Sequence, residues 1–135
     1  MTRLPQSVRE QVRQRADERC EYCHKPEGFS AHPHHVDHII SQKHNGSDEL
    51  DNLAWACFQC NVNKGTDIAA LDPDTGTLTS LFNPRTQVWA DHFSLEGALV
   101  IGLTPPGRAT IQLLQVNHPE QIETRQLLIE AGIWP

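Results

Sequence analysis

HHVDHIISQKHNG, residues 34–46, sets two histidines, an aspartate and a third histidine in five positions, then an apolar pair and a turn. Residues 35–40 read as a short strand running into a loop, and Asn45-Gly46 is a strong turn signal. Downstream, LAWAC at 53–57 reads as a second strand. Residues 58–65 read as a short helix that Gly65 ends. Asp37 and His38 therefore stand side by side at the mouth of a β-hairpin that feeds a helix. Adjacent strand residues point to opposite faces. One of the two must turn at a strand end or bulge if they are to converge.

Two Cys-x-x-Cys pairs flank this hairpin, Cys20/Cys23 upstream and Cys57/Cys60 downstream, and they use all four cysteines of the chain. Two such knuckles supply four thiolates, which suit tetrahedral zinc. A reducing cytosol disfavours disulfides, and a lone redox Cys-x-x-Cys does not explain the second pair. The 33 residues between the pairs exceed the spacing of a plain zinc ribbon. Zinc would clamp the base of an insertion that carries Asp37, His38 and Asn52, and Asn61 follows Cys60 directly. Four thiolates leave no open position for water or substrate, so this zinc is read as structural.

The 135 residues, 38% apolar and 21% charged, fit one globular domain, 1–135, with a modest core. No run of 18 apolar residues is present to span a membrane. The start, MTRLPQSVREQ, lacks the apolar core of a secretory signal, so an intracellular location is expected. A net charge of −6 with histidines neutral argues against loose binding to nucleic acid, which needs excess Lys and Arg. Basic residues are nonetheless local: Arg9, Arg13, Arg15 and Arg19 share one segment, and Lys43, Lys64, Arg85 and Arg108 lie near or beyond the motifs.

Residues 5–19 read as a helix with Val8, Val12 and Ala16 as its apolar stripe. Its arginines form either a solvated face or a phosphate-facing edge. DPDTGT at 72–77 is turn chemistry rather than a calcium loop. Beyond it, LTSLFNP reads as extended, and VWADHF precedes ALVIGLT, a buried strand. Thr104 caps a helix to about residue 115, and a last helix runs from His118-Pro119 to Gly132. His24 and His44 are expected in solvent, His32 and His34 in a flexible loop, and His92 in a packed or capping role.

Taken together, Asp37-His38 in VDHI, Asn52-Leu53 after a GS-D-EL-D loop, and Cys57-x-x-Cys60-Asn61-x-x-Lys64 resemble the HNH endonuclease family, the ββα-metal nucleases. Cys20-Glu21-Tyr22-Cys23 is similar to the partner knuckle of its zinc-bearing members. The resemblance covers roughly residues 8–66. LFNPRTQVWADHF and GLTPPGRAT also look like the tail of small bacterial HNH proteins, without implying a role. The resemblance implies an α+β fold: a ββα-metal core (about 8–66) with a structural four-cysteine zinc site, an N-terminal helix and a helical C-terminal extension (about 67–135).

By the same resemblance, His38 is the general base that takes a proton from the attacking water, and Asp37 is a ligand of a divalent cation, Mg²⁺ or another such as Mn²⁺. Asn61 stands where the motif often ends in histidine, giving an HNN variant; an amide oxygen also suits a hard cation. Asn52 orders the loop and His38. The chemistry agrees independently, because a histidine titrating near neutrality is a fitting base for phosphodiester hydrolysis. A cation held by two protein ligands keeps positions for a phosphate oxygen and the leaving oxygen. His35 is the rival base. Lys43, Lys64 and Arg85 are candidates for phosphate contacts. The implied partner is double-stranded DNA, with no membrane, in the cytoplasm of a bacterial or phage-infected cell. The rival readings are a zinc-stabilised nucleic-acid-binding module without catalysis and a zinc-scaffolded protein-interaction domain.

Overall fold

Val8 and Val12 line one side of helix α1 (Gln6–Arg15), with Ala16 at its C-cap, and Val12 is fully buried against Leu53 and Trp55. These residues belong to the computed structural model of the chain, which describes residues 4–135 and contains two compact units, Met1–Ile68 and Ala69–Pro135. The helix ends earlier than residue 19 because Asp17 (φ 54°) and Glu18 (φ 59°) adopt left-handed backbone. That reversal turns the chain into the first cysteine knuckle. There Cys20 N donates to Lys25 O at 2.9 Å, and Arg19 and Pro26 form a β-bridge.

The first unit is built on a two-stranded antiparallel sheet, β1 (His35–His38) and β2 (Leu53–Ala56), followed at once by helix α2 (Phe58–Lys64). Every β2 residue is buried, which explains its run of apolar side chains. The strand stops at Ala56 because Cys57 is the N-cap of α2, its sulfur accepting from Cys60 N at 3.4 Å. The β1–β2 ladder is one-to-one, pairing Asp37 with Ala54 and His38 with Leu53. No bulge interrupts it.

The second unit holds two hairpins, β3 (Ala69–Leu71) with β4 (Leu78–Ser80) and β5 (Phe93–Glu96) with β6 (Leu99–Gly102). Its helices are α3 (Trp89–His92), α4 (Pro105–Leu114) and α5 (Pro119–Glu130). Thr104 caps α4 as the sequence indicates, its hydroxyl accepting from Gly107 N. Asp72, with no exposed surface, closes the DPDTGT turn and takes a two-pronged ion pair from Arg108 at 2.9 and 2.8 Å. The weak periodicity of α5 has a polar cause. Arg125 is buried there and donates to Ala98 O, Val116 O and Asn117 Oδ1. The overall composition of helices and small sheets is α+β, as the sequence implies.

Candidate metal and active site

The four sulfurs of Cys20, Cys23, Cys57 and Cys60 lie within 4.8 Å of one another, and all four residues are buried and free of disulfides. Thiolates around zinc at about 2.3 Å give sulfur–sulfur edges of about 3.8 Å. The Cys23–Cys57 separation is 3.7 Å. Cys23 N and Cys60 N each donate to the first sulfur of their own knuckle at 3.4 Å. Burial pushes the Cys20 thiol well up, and a bound cation would offset the cost of burying thiolates together. The donor set, spacing and burial fit a tetrahedral zinc ion.

The first knuckle is fastened to the hairpin through its two middle residues. Glu21 N donates to Trp55 O at 2.8 Å, while Trp55 N donates to a Glu21 carboxylate oxygen at 2.7 Å. This docking carries the one tyrosine of the chain to β1. The Tyr22 hydroxyl donates to Asp37 Oδ2 at 2.7 Å, with both residues buried. On the other side Lys64 Nζ lies 3.3 Å from each Asp37 oxygen and donates to His38 O at 3.0 Å. Burial pushes the Asp37 carboxyl up, and the Lys64 charge and Tyr22 hydrogen bond act against that.

His38 faces elsewhere. With the ladder unbroken, the pleat sends it to the other side from Asp37, where His38 Nε2 meets Asp48 Oδ1 at 2.8 Å. Gln42 donates to the same oxygen at 2.9 Å. These two hydrogen bonds hold the Asp48 carboxyl below the usual carboxylate range. The structure thus keeps the side chains of Asp37 and His38 on separate partners.

Asn52 is the fastener of the intervening loop. Its Oδ1 accepts from Ile40 N at 2.9 Å, and its Nδ2 donates to Ile40 O at 2.9 Å and Ser47 O at 2.8 Å. It joins the loop just after His38 to the loop just before Asp48. Asn45 takes the left-handed turn (φ 65°), and Gly46 passes so close to the chain that a Cβ there would lie 1.6 Å from Ile40 O. Asn61 sits half-buried in α2, three residues before Lys64. Residues at that spacing share a helix face, so Asn61 lies on the side of α2 that brings Lys64 to Asp37.

Of the candidate phosphate contacts, Lys43 is exposed beside the turn. Lys64 is not available at the surface: it is 2% exposed, because α2 packs on β1 and turns its stem inward. Arg85 belongs to the second unit, where its backbone N–H donates to Asn83 Oδ1. The arginines of the N-terminal segment are largely spent at home. Arg13 pairs with Glu10, Glu18 and Glu27; Arg15 donates to Leu50 O and Leu53 O; Arg19 donates to His24 O.

His35 is half-buried opposite Ala56. His34, expected in a flexible loop, is buried and its Nε2 meets Lys25 O at 2.8 Å. His32 stacks on Phe58. His24 is not in free solvent either; burial, with Arg19 nearby, pulls its pKa to about 4. His92 packs on Phe82 and its Nδ1 lies 2.6 Å from Thr104 Oγ1. Sequence reasoning missed Tyr22 and Asp48. Tyr22 was legible only as the aromatic inside CEYC, and Asp48 only as the acid of the GS-D loop.

No helix among the described residues is long and apolar enough to cross a membrane. No curated protein and no solved structure matches the chain. Residues 20–67 match the family model described as HNH endonuclease. That span holds both knuckles, β1, β2 and α2. Residues 20–67 are thus similar to an HNH endonuclease domain, and the four-cysteine cluster is consistent with its zinc-bearing subtype.

Proposed function

We propose that this protein is a metal-dependent DNA endonuclease that hydrolyses phosphodiester bonds, with His38 as general base. The observation that supports it most is the β1–β2–α2 order within the family match, with Asp37-His38 on β1 and Asn61 on α2. His38 takes the proton of the attacking water, and Asp48 and Asn52 hold its ring and its loop. The carboxylate of Asp37 and the amide oxygen of Asn61 are hard donors suited to Mg²⁺ or Mn²⁺. Asp37 fits a cation in that it already carries one, the Lys64 ammonium. When bound, the divalent ion supplies charge stabilisation at the phosphoryl and leaving oxygens. Zinc in the four-cysteine cluster has a structural part only. Double-stranded DNA as substrate, ends with 5′-phosphate and 3′-hydroxyl, and action in the cytoplasm complete the reading.

A second reading has two observations in its favour, the first being that the unbroken β1–β2 ladder turns His38 to Asp48, away from Asp37. The second is that Asp37 is fully satisfied by Tyr22 and Lys64, as it would be in a zinc-stabilised binding module without catalysis. Supercoiled plasmid incubated with the protein and Mg²⁺, Mn²⁺ or chelator separates the two. Cation-dependent nicking supports the nuclease; DNA retention without nicking at any cation supports the module.

A further inference from the structure

The Lys64–Asp37 pair is unusual among the ion pairs of this chain. Both partners are nearly free of solvent, 2% and 3% exposed, whereas Arg13 and Glu10 are 31% and 46% exposed. Two buried charges of opposite sign stay buried only together, since removing one partner strands the other in a medium of low dielectric. The ammonium sits 3.3 Å from each carboxylate oxygen and is anchored from behind by His38 O at 3.0 Å. Tyr22 takes a further lone pair of Oδ2. Little of the Asp37 coordination sphere is left over.

We propose that Lys64 is the resident cation of Asp37, and that a divalent metal must displace it to bind. This rests on the reading of Asp37 as a metal ligand. Two cations cannot share one buried carboxylate at such range without strong repulsion. The lysine stem is four carbons long and flexible, so the ammonium can withdraw from Asp37 while the helix stays in place. Lys64 keeps Asp37 paired and placed while no metal is bound, and it sets the metal concentration at which the site fills. The domain is thereby stable without its catalytic ion, at a cost in affinity for it.

The test is Mn²⁺ binding to the zinc-loaded full chain at about pH 8, followed by electron paramagnetic resonance of free Mn²⁺ and by thermal shift. Lys64→Met removes the competitor and should tighten Mn²⁺ binding by roughly 5- to 150-fold, the range of ordinary coupling between sites. Its melting temperature should be lower than wild type without Mn²⁺ and rise more when Mn²⁺ is added. Lys64→Gln serves the same end if the methionine variant does not fold. In the wild-type chain, the ¹⁵Nζ resonance of Lys64 should move as Mg²⁺ saturates. Asp37→Asn should bind no Mn²⁺. Equal or weaker binding by both Lys64 variants, with Asp37→Asn still inactive in binding, overturns the competition and leaves the metal reading intact. Absence of binding in every form, wild type included, overturns both.

Discussion

Tyr22, seated between Cys20 and Cys23, donates a 2.7 Å hydrogen bond to Asp37 Oδ2 in the interior of the domain. The knuckle that would hold zinc is thus in direct contact with the carboxylate proposed for the catalytic ion. A hydrogen bond to a charged acceptor contributes about 1.5–3 kcal/mol. Tyr22→Phe keeps the ring and deletes the donor, so it should cost that much stability in urea denaturation while retaining zinc. An unchanged midpoint would mean that the hydroxyl is replaceable by water.

Zinc itself should be stoichiometric. Protein purified without added metal is expected to carry about one zinc per chain by elemental analysis. Cys57→Ser removes a ligand and the N-cap of α2 together, so the first unit should unfold or aggregate, since metal binding and folding are coupled. Two disulfides and no zinc would contradict this directly.

The loop between β1 and β2 should tolerate no side chain at Gly46. A methyl there meets Ile40 O at 1.6 Å and Asn52 Nδ2 at 2.9 Å. Gly46→Ala should destabilise the domain by about 1–3 kcal/mol or more. It should also shift the amide resonances of Ile40 and Asn52, with zinc retained. A variant as stable as wild type, with those resonances unmoved, would show that the loop is not held as described.

How much of this could be read beforehand depends on how local each cause is. The hairpin, the α2 helix and the Thr104 cap were legible because the apolar run LAWAC, Asn45-Gly46, Gly65 and the threonine act within a few residues of themselves. The early end of α1 was not: nothing in Asp17-Glu18 announces left-handed backbone, which the first knuckle imposes. Lys64 reads as a surface base until α2 is packed on β1, and His34 reads as loop until Lys25 O is brought to it. The question whether Asp37 and His38 converge was left open by the pleat. The unbroken ladder answers it by giving them different partners.

Asn61 is the position where the chain departs from the three-letter motif. As a proposed ligand it should matter for the catalytic cation and little for the fold. Asn61→Ala is expected to keep zinc and its melting temperature but to need more Mg²⁺ for nicking. Asn61→His should move the preference toward Mn²⁺, Co²⁺ or Ni²⁺, which imidazole suits better. Nicking rate against concentration of each metal reads this out. An alanine variant with unaltered Mg²⁺ dependence removes Asn61 from the site.

The most direct measurement is the initial rate of plasmid nicking by wild type and His38→Ala at saturating Mg²⁺, with zinc content matched. Loss of a general base costs 10²–10⁴-fold, roughly, in rate. The account predicts a fall in that range with DNA binding preserved. A His38→Ala protein that nicks within a few-fold of wild type, or a wild type that nicks with no cation at all, would contradict it.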